Sequence, residues 1–129
     1  MRLLLDTHIF IWWNTDASLL TSTARALCAD RNNTLILSLV SIWEMQIKSQ
    51  LGKLTFNVPL PELIESQQRV NGLEILPITP QHIYALSHLP LHHKDPFDRL
   101  LIAQSQVEKL SLITADGVFG QYDDLALLG

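Results

Sequence analysis

The chain has 129 residues, enough for a buried core, and we expect a single domain over residues 1–129. Hydrophobic residues make up 47% and charged residues 17%, which argues against a disordered chain. The net charge is −4, so attraction to nucleic acid would have to come from a local patch or from bound metal.

One cysteine, Cys28, cannot form an internal disulfide or a cysteine-rich zinc site. No apolar run approaches the roughly 20 residues that a membrane span requires. The N-terminus begins with a predicted strand and lacks the layout of a signal peptide. These features predict a cytoplasmic protein.

Short apolar runs alternate with helical patterns along the chain. Strands are predicted at 2–5, 34–37, 73–78 and 111–114, with a short edge strand at 125–127. Helices are predicted at 7–14, 21–30, 38–50, 61–70, 79–88 and 95–109. Short, continuously apolar strands separated by helices are typical of a parallel sheet covered on both faces. We therefore predict an α/β fold, a three-layer α/β/α sandwich with a mostly parallel central sheet.

Four acidic residues, far apart in sequence, follow predicted strands or begin predicted helices. They are Asp6, Glu44, Asp98 and Asp116. Sites in parallel sheets form beyond the carboxyl ends of the strands. Converging carboxylates repel each other and lose hydration, so they need a cation, and all-oxygen ligands suit Mg²⁺ or Mn²⁺. The sequence predicts one acidic metal pocket, with the carboxyl groups within roughly 10 Å of one another.

Each acid also has a structural explanation. Asp6 could cap the following helix, and Glu44 could close a capping box with the serine three residues earlier. Asp98 could be favoured by the dipole of its helix, and Asp116 could be a turn residue. Asp95, directly before a proline, is assigned to helix capping. The occurrence of four acids at strand-to-helix junctions of one sheet favours a shared site.

The chain resembles PIN-domain proteins of the VapC toxin type, from type II toxin–antitoxin systems. The resemblance covers nearly the whole chain and rests on the segments 3–8, 41–44, 93–104 and 112–116. It implies the α/β/α fold and cleavage of RNA phosphodiester bonds that depends on Mg²⁺ or Mn²⁺. The metal-binding and catalytic acids of the family fall on Asp6, Glu44, Asp98 and Asp116, and Thr7 and Thr114 match supporting polar positions.

The resemblance also implies partners, a protein antitoxin and a second copy of the chain. The run Ile9-Phe10-Ile11-Trp12-Trp13 adds to the expectation of a homodimer, because one helix cannot readily bury five such residues against its own sheet. Trp43 is likewise expected in the core or at an interface.

Two other functions stay open at this stage. One is a catalytically silent PIN-like module that binds RNA or a partner through the same acids. The other is a phosphatase with Asp6 as nucleophile, although such enzymes carry a second aspartate two residues later, where this chain has His8.

Overall fold

The computed structural model describes residues 1–91 and 95–115, together with the backbone of 127–128. Asp116 lies outside the described residues, so its predicted role is carried forward as a prediction. None of the helices in the described part of the chain combines the length and hydrophobicity needed to cross a bilayer.

Five parallel strands form one sheet in the described part of the chain. They are β1 (Arg2–Leu5), β2 (Thr34–Ser38), β3 (Glu74–Leu76), β4 (Ser111–Ile113) and β5 (Leu127–Leu128). Their order across the sheet is β3-β2-β1-β4-β5. The predicted α/β class and parallel sheet are confirmed.

Six α-helices in the described part of the chain connect and cover these strands. They are α1 (Thr7–Thr15), α2 (Ser22–Ala29), α3 (Leu39–Gln50), α4 (Leu60–Asn71), α5 (Pro80–Ala85) and α6 (Pro96–Glu108). Short 3-10 helices add residues Ala17–Leu19 and Leu86–His88. The helix predicted over 79–88 is therefore α5 followed by a 3-10 turn.

Alternating side chains of the central strand build the two halves of the core. Leu3 and Leu5 pack on one face of the sheet with Phe10 of α1. Leu4 packs on the opposite face with Leu101 of α6. All four leucines are fully buried. The layers above and below the sheet make the predicted three-layer sandwich.

The apolar run on α1 faces inward more than its sequence suggests. Ile9, Phe10 and Ile11 are buried, and Trp12 and Trp13 are half-buried against the same core cluster. This helix therefore leaves less apolar surface for a partner than expected, and the homodimer remains a prediction.

A buried polar network joins the helices on the second face. The side chain of Gln104 on α6 is fully buried and accepts a hydrogen bond from the Ser38 hydroxyl at 2.5 Å. Its amide nitrogen donates to the Pro77 carbonyl at 3.3 Å and lies 3.3 Å from Nδ1 of His82. Ser38 also caps α3 by accepting from the amide of Val40. The network thus fixes the start of α3 relative to α6.

Candidate active site

Asp6 lies at the point where the direction of the chain across the sheet reverses. After β1 the chain runs outward through β2 and β3, then returns to β4 on the other side of β1. The backbone amide of Asp6 donates to the Ile113 carbonyl at 2.9 Å, so β1 and β4 end side by side. A crevice at such a reversal is where open α/β sheets bind ligands.

The Asp6 side chain does not serve the helix that follows it. Asp6 occupies the N-cap position of α1, but its carboxylate makes no capping hydrogen bond. Its Oδ2 atom instead accepts from the Thr114 hydroxyl at 2.9 Å, across the gap between β1 and β4. The side chain therefore lies between the ends of β1 and β4, and the residue is only 4% exposed. The capping explanation for Asp6 is therefore wrong.

The surroundings of Asp6 disfavour its negative charge. Burial raises the pKa of the Asp6 carboxyl above its usual value, and the nearby charge of Glu44 raises it further. The Thr114 hydroxyl, the charge of His8 and the amide of Thr7 lower this pKa but do not offset the burial. No lysine, arginine or histidine in the described part of the chain forms an ion pair with Asp6. A cation in the crevice would relieve this deficit.

Glu44 belongs to the second turn of α3 rather than to its start. The cap of α3 is Ser38, so Ser41 lies inside the helix and the proposed capping box is absent. Because of this offset, Glu44 points inward, and the residue is 6% exposed. The structure thereby brings Glu44 to the side of the crevice where Asp6 lies, close enough to influence the pKa of Asp6.

Thr7 links Glu44 to the segment that carries Asp6. Its hydroxyl oxygen lies 2.9 Å from both Ser41 Oγ and Glu44 Oε1, and all three residues are buried. A carboxylate only accepts hydrogen bonds, so the single hydroxyl hydrogen of Thr7 goes to Glu44. Thr7, next to Asp6 in sequence, therefore holds Glu44 in place, which agrees with its expected supporting role.

Lys48 is a neighbour of the site that the sequence reasoning missed. Its ammonium nitrogen lies 2.7 Å from Glu44 Oε2. Glu44 and Lys48 are four residues apart on one helix, the spacing at which glutamate and lysine meet. That spacing was the signal that the sequence offered for Lys48.

Asp98 lies on another helix, α6, which packs against α3. It lies in the first turn of α6 and is half-buried, with interactions of its own. The preceding residue, Phe97, packs edge-on against Trp43 with ring centroids 5.1 Å apart. The aromatic pair thus joins the residues directly before Asp98 and Glu44. Trp43 itself is 58% exposed and is not part of the core.

Asp95 and Arg99 stabilise the start of α6 and the segment before it. Asp95 caps α6 by accepting from the Phe97 amide at 2.9 Å, as predicted. The Arg99 guanidinium donates to the Pro90 carbonyl at 2.9 Å and to the Leu86 carbonyl at 3.3 Å. Arg99 therefore braces the segment before α6.

Asp6 and Glu44 are the predicted acids that the structure brings together, with Asp98 on an adjoining helix. No group of three or more His, Cys, Asp or Glu side chains positioned for a metal occurs among residues 1–91 and 95–115. Asp116 follows β4 in sequence and is the acid that this range omits. The convergence of all four carboxylates therefore remains a prediction.

Solved structures with the same fold include chains from VapBC complexes of several bacteria. A chain in VapBC2 from Rickettsia felis, bound to a DNA fragment from its promoter, gives a TM-score of 0.72 at 18% identity and covers 98% of this chain and 97% of that one. A chain in VapBC-1 from nontypeable Haemophilus influenzae gives a TM-score of 0.65 at 19% identity. The match covers 98% of this chain and 96% of that one. A chain in VapBC-5 from Mycobacterium tuberculosis gives a TM-score of 0.60 at 16% identity. The match covers 98% of this chain and 94% of that one.

At these identities the likeness establishes the fold alone. No curated protein shows significant similarity to the chain. The family model described as PIN domain matches residues 3–125, nearly the whole sequence. That match agrees with the parallel sheet and with the acid placed directly after its central strand, and the chain belongs to the PIN-domain family.

Proposed function

We propose that this PIN-domain protein is a metal-dependent endoribonuclease that serves as the toxin of a toxin–antitoxin pair. The observation that carries the proposal is the Asp6 carboxylate, buried at the reversal point of the sheet without an ion-pair partner among the described residues. Burial of a carboxylate without a counter-charge is costly, and a cation bound beside Asp6 would offset that cost.

The residues present suit a hard divalent cation. Asp6, Glu44, Asp98 and Asp116 would hold one or two Mg²⁺ or Mn²⁺ ions through oxygen atoms, the donors that these ions prefer. A bound ion of this kind supplies an activated water at neutral pH and neutralises charge on the scissile phosphate. The hydroxyls of Thr114 and Thr7 orient the carboxylates of Asp6 and Glu44 for this task.

The exposed Trp43 ring supports RNA as the substrate. A net charge of −4 and a set of carboxylates repel a phosphate backbone, so affinity must have a further source. The exposed ring of Trp43, one residue before Glu44, offers a face on which a base can stack. Stacking of this kind contributes about 1–3 kcal/mol per base and tolerates any base.

The partner assignments rest on the family and on its structural neighbours. Chains of this fold occur in a solved structure described as a member of the VapBC family of toxin–antitoxin systems and in one described as a toxin–antitoxin complex. We infer that an antitoxin restrains this chain in the cell. Its inhibitory segment would place an arginine among Asp6, Asp98 and Asp116, because a guanidinium fork matches carboxylates. A homodimer is part of the same proposal.

Removal of divalent metal tests the nuclease assignment. We expect purified protein to cleave RNA in Mg²⁺ or Mn²⁺, and EDTA to reduce the rate at least about a hundredfold, because metal stabilisation of phosphoryl transfer is worth several kcal/mol. Gel analysis of a labelled RNA measures the rate, and excess Mg²⁺ added after EDTA should restore it. Undiminished cleavage in EDTA would contradict metal dependence.

A catalytically silent RNA-binding module is the second candidate. The observation in its favour is that both oxygens of Glu44 already have partners, Thr7 and Lys48. If this candidate is right, the protein binds RNA but does not cleave it, whichever divalent metal is added. A filter-binding measurement beside the cleavage assay separates the two functions.

A further inference from the structure

The ion pair between Glu44 and Lys48 is partly buried rather than on the open surface. The Lys48 and Glu44 side chains are 32% and 8% exposed, whereas in the Arg2–Glu74 pair the corresponding values are 58% and 48%. Partial burial strengthens the attraction between charges, because less water screens them. Lys48 is therefore an effective counter-ion for Glu44.

The two oxygens of Glu44 have different partners. Oε1 accepts from the buried Thr7 hydroxyl at 2.9 Å, and Oε2 contacts the Lys48 ammonium at 2.7 Å. The first contact ties Glu44 to the residue that follows Asp6. The second contact neutralises the charge that would otherwise attract a divalent ion. A metal that recruits Glu44 must therefore compete with Lys48, while the contact with Thr7 can persist.

The side chain of Lys48 can leave without disturbing the fold. The ammonium is carried by a flexible four-carbon stem, and about a third of the side chain is already exposed. Rotation of the stem moves the charge into water, where an ammonium is well hydrated. No backbone movement of α3 is required.

We propose that Lys48 is a placeholder cation, which occupies Glu44 while no metal is bound and yields Oε2 when a divalent ion enters beside Asp6. The inference rests on the proposed metal-dependent function and adds a determinant of metal affinity to it. Lys48 stabilises the metal-free site, where Asp6 and Glu44 repel each other. It correspondingly weakens metal binding, so that the site fills only when the ion is sufficiently concentrated.

Isothermal titration calorimetry of Mn²⁺ binding to the metal-free protein tests the proposal. We expect Lys48→Met to bind Mn²⁺ about tenfold more tightly, since a charge-assisted contact no longer competes for Glu44. Lys48→Arg should bind no more tightly than the wild type, because its guanidinium retains the charge and grips a carboxylate well. The matched control is Lys53→Met, which removes an equal charge from an exposed position close to Lys48 in sequence.

A second set of variants, in which Glu44 is already replaced, tests whether Lys48 affects Mn²⁺ affinity through Glu44. In Glu44→Gln, which keeps an acceptor for Thr7 but loses the charge, Lys48→Met should leave Mn²⁺ affinity unchanged. In EDTA, Lys48→Met should melt below the wild type, because Glu44 then lacks its counter-ion. A lysine with only a structural role would lower the melting temperature without tightening metal binding.

The outcomes separate this inference from the nuclease assignment. Wild-type protein that binds no Mn²⁺ would overturn the proposed function itself. Mn²⁺ binding by the wild type with equal or weaker binding by Lys48→Met would overturn only the placeholder role. So would a tightening by Lys53→Met of the same size, since the effect would then come from net charge. If Lys48→Met fails to fold, tighter binding by Lys48→Arg would contradict the proposal.

Discussion

Replacement of Asp6 by asparagine is expected to reduce RNA cleavage about a thousandfold, a loss of about 4 kcal/mol of transition-state stabilisation. The asparagine side chain would keep the size of the original and an oxygen that accepts from Thr114. It would lose the negative charge at the centre of the proposed metal site. The rate in saturating Mg²⁺ on a labelled RNA measures the effect.

The same substitution is expected to stabilise the metal-free protein at neutral pH, because an asparagine carries no charge that burial penalises. Burial raises the pKa of Asp6, so between the usual value of 3.8 and the raised value the folded state binds more protons than the unfolded state. Stability therefore falls as pH rises through that window and stays lower above it. Asp6→Asn should remove this loss, as thermal melts in EDTA at several pH values will reveal.

The control is Asp30→Asn, the same chemical change at an exposed carboxylate. Asp30 accepts from the Asn32 amide in a turn, which asparagine also allows. This variant should cleave RNA at the wild-type rate.

In cells, expression of the wild type without an antitoxin should slow growth, and expression of Asp6→Asn should not. An Asp6→Asn protein that cleaves RNA normally would remove Asp6 from the active site.

Gln104→Leu is expected to destabilise the protein by about 2–4 kcal/mol, because burial of unpaired polar groups costs about 1–3 kcal/mol each. The substitution removes the acceptor of the Ser38 hydroxyl and the donor to the Pro77 carbonyl. Leucine has a similar volume, so the loss reports on hydrogen bonding rather than on a cavity. For a domain of this size the melting temperature should fall by about 10 °C.

His82 makes the network less tolerant of change. Its Nδ1 accepts from the Thr79 amide at 3.0 Å, so the ring hydrogen is on Nε2, which donates to Glu108 at 2.8 Å. The ring is fully buried. A leucine beside it cannot replace the polar contact that Gln104 makes near Nδ1.

The comparison variant for Gln104 is Gln68→Leu, on the exposed side of α4. Its melting temperature should lie close to that of the wild type, because surface substitutions are usually within about 0.5 kcal/mol. Equal melting temperatures for Gln104→Leu and the wild type would mean that the buried network contributes little to the fold.

The sheet could be predicted from sequence because its strands are short, apolar runs with clear boundaries. The predicted strands at 2–5 and 34–37 match β1 and β2 to within a residue. The C-terminal end of α3 could also be predicted, because a glycine follows the helix. Gly52 adopts a φ of 73°, a left-handed conformation that glycine accepts easily. The 3-10 turn at Leu86–His88 was missed because its pattern does not differ from a last helical turn.

The site was harder to predict, because it depends on which of several polar residues acts as a cap. Ser38 and Ser41 both suit a helix start, and the choice of Ser38 moves Glu44 from the first turn to the second. The contact of Thr7 with Glu44 spans 37 positions and appears only after α1 packs against α3. Such side-chain geometry depends on tertiary packing, which local sequence patterns do not predict.

The hydrogen bond from Thr114 to Asp6 joins residues 108 positions apart. Because β4 pairs with the central strand β1, a chain that is still being synthesised lacks one wall of the crevice until β4 has left the ribosome. Asp6 is synthesised 108 residues before Thr114, so its carboxylate lacks this hydrogen-bond donor while the segment between them is being made. The order of synthesis therefore leaves the Asp6 side chain without its contact to Thr114 until β4 has been made and has paired with β1.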